Sequence, residues 1–314
     1  MASNLAAALL VPVLTVLTGG PVDPEPIGTP VRVVSHDVPQ TAAQREQVLR
    51  YWTLDRMIHA APPPGPARGF RKVVRLSAAV SSSSSPGALW PAQAPARNTV
   101  GAASGKVFFS MSGRDYVCSA ATVASANRDV VVTAGHCAKN GTGAWATNWI
   151  FVPGYRDGSG PYGGFTARRM YVPDQWSGAA NDDDDVAMVA VGTTGGRHVQ
   201  DAAGAEAIAF GGPRGREVYA FGYPAEGRYD GERLAYCSGR PHDDPRGLTS
   251  SQGLHCDMTQ GSSGGAWLAG FDPATGTGTV VSVSSFKYAD DGTTMYGPYF
   301  GTTVRRLYDQ AQRG

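Results

Sequence analysis

Apolar and polar positions follow three rhythms along this chain. Leu5 to Leu17 is almost uninterruptedly apolar. That run is too short to span a bilayer and reads as the hydrophobic stretch of a secretory signal peptide, residues 1–20. No Lys or Arg precedes it (the first is Arg32), so the basic region of such a peptide is expected upstream of Met1. From Thr41 to Ala61 the spacing turns helical: Val48, Leu49, Trp52, Met57 and Ile58 share one face. Thr41 and Gln44 form a capping box at its start, and Pro62 to Pro64 end it. From about Lys106 short apolar runs alternate with Gly, Asn, Asp and Pro clusters. Strands are expected at Lys106–Met111, Tyr116–Val123, Asp129–Thr133, Trp149–Val152, Val186–Val191, Glu217–Gly222 and Thr279–Ser284. This pattern predicts an all-β sandwich or barrel, closed by a helix over Thr302–Gln312.

Between these regions the chain is punctuated. Residues 21–40 are Pro-rich, and Ser81–Ser85 followed by PGALWPAQAPARN has linker composition. The expected layout is a signal peptide (1–20), a pro-segment and linker with one helix (21–97), and a β domain (98–314). A lone amphipathic helix of that length is marginal in water, so it is expected to dock.

Composition narrows the class. The 314 residues carry a net charge of +1 and only 17% charged side chains, with 41 Gly and 22 Pro. There is no basic field for nucleic acid, and no later segment is apolar for long enough to span a membrane. The high Gly with low charge suits a turn-rich extracellular β protein. The four cysteines, Cys118, Cys137, Cys237 and Cys256, contain no C-x-x-C pair. They read as two disulfides formed in an oxidising compartment rather than as zinc ligands.

Three stretches carry candidate chemistry. In CDMTQGSSGGAW, Cys256 to Trp267, two serines lie between glycines. A serine that attacks a carbonyl needs backbone N–H groups aimed at the developing oxyanion. Gly261 stands two residues before Ser263, where its turn lets both amides converge, so Ser263 is preferred over Ser262 as nucleophile. In DVVVTAGHC, Asp129 to Cys137, a β-branched strand delivers His136 beside a cysteine. A histidine there can take the serine proton and return it to the leaving group. In NDDDDVAMVAV, Asn181 to Val191, Asp185 enters a strand directly and can bury its carboxylate to orient the imidazole. Asp182 to Asp184 are expected in a solvated loop. A charge run of this kind is weak ground for a calcium site. The order His, Asp, Ser excludes the α/β-hydrolase order, because no histidine follows Ser263. It also excludes the Asp, His, Ser order of subtilisins.

TAGHC, DVAMV and QGSSGG together resemble the trypsin/chymotrypsin-like serine proteases. The Cys237/Cys256 pair and the CDMTQGSSGG run look more like the bacterial secreted branch related to glutamyl endopeptidases (V8-like). YWTLDRM, Tyr51 to Met57, is similar to pro-regions of secreted actinobacterial enzymes. The resemblance covers about Lys106 to Gly314. It implies two six-stranded antiparallel barrels of the chymotrypsin fold with a C-terminal helix and a site between them. It further implies a Cys118–Cys137 and a Cys237–Cys256 disulfide, and an oxyanion hole from the amides of Gly261 and Ser263. Where trypsin-like enzymes carry an Asp before the nucleophile, this chain has Ser262. Activation through an ion pair with a new N-terminus is therefore not expected. The pro-segment is instead expected to be a detachable cover or folding aid, with a candidate junction at Arg97–Asn98.

By the same resemblance, Ser282, Val283 and Ser284 are expected to line the substrate cleft, and GPYFGTT, Gly297 to Thr303, its opposite wall. Asp257, six residues before Ser263, is a candidate floor for a basic side chain. The histidine that meets acidic substrates in glutamyl-specific relatives has no counterpart. The implied protein is a monomeric secreted serine endopeptidase acting on peptides or proteins, without cofactor, metal, nucleic acid or membrane partner once the signal is removed. Two other classes fit the same fold: a catalytically silent binding module and a secreted esterase.

Overall fold

Val130–Thr133, VVVT, folds as its β-branched side chains require: it is a strand with all four residues buried. The computed structural model describes residues 32–38, 41–63, 85–91 and 99–314. The expected signal peptide, Pro64 and the Arg97–Asn98 junction fall outside the described residues. The N-terminal elements are β1 (Val33–Asp37), α1 (Ala42–Tyr51), α2 (Leu54–His59), β2 (Ser85–Leu89) and α3 (Val100–Ala103). Then come β3 (Ser104–Met111), β4 (Arg114–Thr122), β5 (Val130–Thr133), β6 (Thr147–Pro153), β7 (Phe165–Pro173), α4 (Asp174–Ala179) and β8 (Ala187–Val191). The second half holds α5 (Val199–Ala203), β9 (Ala207–Ile208), β10 (Val218–Gly222), β11 (Ala235–Gly239), β12 (His242–Asp243) and β13 (Gln252–His255). It ends with β14 (Ala266–Asp272), β15 (Thr277–Val283), β16 (Thr294–Gly297) and α6 (Thr302–Ala311).

The architecture is the expected pair of β-barrels with a C-terminal helix. Strands β3 to β8 run in the order β7-β6-β3-β4-β5-β8, and β7 also pairs with β8, which closes the first barrel. Val107, Phe109, Phe151, Phe165, Met170 and Val189 fill it. The second barrel is built from a sheet in the order β2-β11-β10-β14-β15-β9 and a smaller sheet β12-β13-β16. Val218, Leu254, Trp267 and Met295 pack between these two sheets. The Cys237–Cys256 disulfide ties β11 to the residue following β13. A larger apolar cluster runs between the barrels and includes Phe108, Phe221, Tyr223, Val280 and Leu307.

All seven expected strands are present, with ends shifted by at most two residues. The single expected helix is instead two, α1 and α2. Thr41 caps α1 through the full capping box, and the Thr53 hydroxyl accepts from the Arg56 amide to start α2. The break follows from Trp52. Its indole packs near Phe108 and its Nε1 donates to the Asn148 carbonyl at 2.5 Å, which pulls the residue out of helical register.

The N-terminal segment is joined to both barrels. β1 pairs antiparallel with β7 over all five of its residues. β2, which the sequence places in a linker, is an edge strand on β11. The Gly87 amide donates to Asp257 Oδ1 at 2.9 Å. A Cβ at position 87 would stand 2.4 Å from both Asp257 Oδ1 and the Tyr229 hydroxyl, so the close approach requires glycine. The Trp90 ring packs edge-on against Phe221, Tyr236 and Phe271.

The link between barrels passes through Glu206. Its amide donates to the Thr122 carbonyl, its own carbonyl accepts from Ala124, and its Oε2 accepts from Gly278 in the other sheet. Burial pushes its carboxyl up to about 7, only partly offset by the Gly278 N–H. The folded state therefore holds a proton that the unfolded chain releases near the ordinary value of 4.5. The associated stability is complete below that value and is lost as pH rises toward 7, a change of about 3 kcal/mol at most. Glu206→Gln is expected to remove this falling limb between pH 4.5 and 7 in denaturant titrations; an unchanged pH profile would contradict the burial argument.

Candidate active site

His136 reaches its position because β5 ends in small residues. Ala134 leads into a 3-10 turn, Gly135–Cys137, and the Cys118–Cys137 disulfide pins that turn to β4. Closing a loop of 19 residues in this way contributes about 3 kcal/mol on the loop-entropy account. His136 is 6% exposed. Asp185 emerges from a second 3-10 turn, Asp182–Asp184, capped by the Asn181 side chain, and its carboxylate is fully buried. The solvated acidic loop expected there is absent. Asp182 is buried, and Asp183 Oδ1 accepts from the Ser250 amide and the Ser251 hydroxyl, tying the turn to the second barrel.

Three donors converge on Asp185. The His136 amide donates to Oδ1 and the imidazole Nδ1 to Oδ2, both at 2.8 Å. The Ser285 hydroxyl, from the second barrel, donates to Oδ2 at 2.5 Å. Burial alone would raise this carboxyl, but its interaction with His136 and the three hydrogen bonds outweigh it and hold the group below the ordinary range. An ionised Asp185 keeps the imidazole proton on Nδ1 and leaves Nε2 as an acceptor. Nε2 is buried and has no hydrogen-bond partner among the described residues. An imidazole held this way can accept a proton at Nε2 and return it.

Ser263 lies in the turn between β13 and β14, which faces the first barrel. Gly261 has φ +95°, and a Cβ there would stand 2.6 Å from the Tyr223 carbonyl. The amides of Gly261 and Ser263 donate to no described acceptor, as an oxyanion site requires. Ser119 of β4 holds the turn. Its amide donates to the Ser263 carbonyl and its hydroxyl to the Gly261 carbonyl, both at 2.8 Å. Cys137 Sγ lies 3.9 Å from the Ser263 carbonyl oxygen, and a ring nitrogen of His136 is within 4.8 Å of both disulfide sulfurs. Both residues thus border the Cys118–Cys137 bridge, while no hydrogen bond joins the His136 ring to the Ser263 hydroxyl. His136 with these two cysteines is not a metal centre, since both sulfurs are spent on the disulfide. Ser262 is buried, with its hydroxyl donating to the Thr259 carbonyl, so it is not available for attack.

Other candidates sit elsewhere. The Ser282 hydroxyl donates to the Pro298 carbonyl, Val283 is in the core, and the Ser284 hydroxyl accepts from Trp267 Nε1. All three side chains are buried, because this stretch continues the wall of the barrel. The residue that reaches the site is the next one, Ser285. Asp257 is engaged by the Gly87 amide, the Tyr229 hydroxyl and the Arg228 guanidinium. Nearby, the Lys287 ammonium donates to the carbonyls of Cys256 and Gly292, and burial pushes it down to about 8. Sequence reading missed Ser119 and Ser285. The serine-rich VSVSS run hinted at the second; a lone serine after Cys118 offered no hint of the first.

A family profile described as Trypsin-like peptidase domain matches residues 118–272. The chain is similar to the solved protease Anisep from Arthrobacter nicotinovorans, at 42% identity over 67% of this chain and 95% of that one, with a TM-score of 0.65. It is also similar to a thermostable serine protease, AL20, from an extremophilic microorganism, at 40% identity over 68% and 98%, with a TM-score of 0.65. A Glu endopeptidase shares the fold at 19% identity, covering 67% of this chain and 90% of that one, with a TM-score of 0.53. No curated protein matches.

Asp185→Asn is expected to lower peptide-bond turnover by about four orders of magnitude, by reversing the imidazole tautomer. Ser285→Ala is expected to cost about tenfold, the worth of one hydrogen bond to a charged group. The ranking is checked by kcat/KM on one substrate; a Ser285→Ala enzyme as active as the parent would leave that contact without a role.

Proposed function

Since this chain belongs to the trypsin-like serine peptidases, we propose that it is a secreted endopeptidase working through a His136–Asp185–Ser263 triad. Ser263 attacks the peptide carbonyl while His136 Nε2 takes its proton. The oxyanion is received by the amides of Gly261 and Ser263. His136 then protonates the departing amine, and water hydrolyses the acyl-enzyme by the same route in reverse. Asp185 orients the ring throughout. The observation that carries this reading is the buried Asp185–His136 hydrogen bond, with His136 and the Ser263 carbonyl both bordering the Cys118–Cys137 disulfide, in a chain 42% identical to a solved protease.

Specificity for a basic side chain is not favoured. The Asp257 carboxylate already has three partners, one of them the Arg228 guanidinium. Secretion is supported by the two disulfides and by the apolar run near the N-terminus. No helix among the described residues is long and apolar enough to cross a membrane. A removable pro-segment is supported by coverage: the two proteases align over 95% and 98% of their lengths but over only 67% and 68% of this chain. We place the junction upstream of Ser85 rather than at Arg97–Asn98. A cut after Arg97 would sever β2, with its Gly87–Asp257 bond and the Trp90 packing, from the rest of the enzyme.

A fluorophosphonate is expected to label the active protein, with labelling lost in Ser263→Ala and kept in Ser262→Ala. Persistent labelling of Ser263→Ala would remove Ser263 from its role. N-terminal sequencing of the mature enzyme is expected to start before Ser85. A start at Asn98, with no 85–91 peptide retained, would refute that placement.

A further inference from the structure

The backbone of β4 has one edge on β3 and a second edge that is used by three partners in turn. From Ala121 onward it pairs with β5. At Ser119 the amide donates to the Ser263 carbonyl. At its start it pairs with the N-terminal segment: the Ala61 amide donates to the Asp115 carbonyl at 3.2 Å, and the Val117 amide donates to the Ala61 carbonyl at 2.9 Å. At roughly 3.3 Å per residue, the bond at Val117 lies about 7 Å along the strand from the bond at Ser119.

The chemistry of the site gives that edge a direction. The leaving nitrogen takes its proton from His136, so the chain beyond the scissile bond departs on the His136 side of Ser263. His136 adjoins Cys137, which is bonded to Cys118, and Cys118 follows Val117. A substrate extending past the scissile bond therefore runs over the disulfide and onto the edge that Ala61 occupies.

The segment is held firmly there. The Tyr51 hydroxyl donates to Asp115 Oδ1 at 2.8 Å, and Arg56 Nη1 donates to Asp115 Oδ2 at 2.9 Å. The carboxylate is held below its ordinary range: burial opposes ionisation, but bonds from Ser110, Tyr51 and Arg56 prevail. Trp52 adds its buried indole just upstream. Ala60 and Pro63 are buried on either side of the pairing residue.

We propose that the Asp115–Val117 edge is an interaction surface for an extended strand, occupied in the intact chain by Ala60–Pro62. This strand addition blocks only the leaving-group side of the cleft. The uncleaved protein thus discriminates by substrate length past the scissile bond, and cleaves short substrates while sparing long ones. This rests on the hydrolase reading above.

The test uses the full-length chain before and after removal of the residues upstream of Ser85, together with full-length Ala61→Pro, which lacks the amide donor, and Arg56→Ala. Two substrates share one acyl side. One is a p-nitroanilide with nothing beyond the scissile bond, and the other a peptide with three further residues. The ratio of long- to short-substrate kcat/KM is expected to be at least tenfold lower in the full-length chain than in the trimmed enzyme, and to rise in both variants. An equal ratio in all four proteins overturns the proposal. So does a full-length chain that labels with fluorophosphonate yet cleaves neither substrate. Labelling of Ser263 is read separately, so its failure counts against the hydrolase reading and not against the strand addition.

Discussion

A single buried carboxylate organises this molecule. Asp185 has no exposed surface, and an unpaired charge in that setting costs several kcal/mol. It is tolerated because three donors reach it, two from His136 on the first barrel and one from Ser285 on the second. Bringing the barrels together and fixing the imidazole are therefore one event. The charge that is costly to bury is the same charge that sets the tautomer and leaves Nε2 free to accept a proton.

Ser119 plays the complementary part from β4 of the same barrel. Its amide and hydroxyl hold the carbonyls of Ser263 and Gly261, and its hydroxyl also accepts from the Tyr223 amide. The Ser263 turn is thus fastened to the strand that carries Cys118, which is bonded to the residue after His136. Rigidity in the turn comes from these cross-barrel bonds and from the left-handed Gly261. With the two carbonyls held in this way, the amides of Gly261 and Ser263 still donate to no described acceptor.

The N-terminal segment follows the general behaviour of open strand edges, which pair with whatever extended chain is at hand. β1 caps β7, Ala61 caps the start of β4, and β2 caps β11. The first two lie in the segment taken as removable. The third is tied by Gly87 to Asp257, next to the cysteine whose carbonyl holds Lys287. The same kind of backbone pairing is thereby assigned to the proposed cover in one place and to the proposed mature framework in another.

Much of this was legible along the chain. The β-branched runs marked seven strands, and Thr41 with Gln44 marked the start of α1, because burial of alternate side chains and capping are local properties. His136, Asp185 and Ser263 stood out because each lies at the end or entry of such a run. β7 was not legible: its centre carries Arg168 and Arg169, half-exposed, so its apolar positions do not alternate cleanly. Nor were Ser119 and Ser285, the linker-like β2, or the break at Trp52. Ser285 lies 100 residues from the carboxylate it serves, and Gly87 lies 170 from Asp257. A periodic pattern encodes which side of a strand is buried. It does not encode which distant backbone or hydroxyl completes a hydrogen bond, and that is decided only when the barrels close on each other.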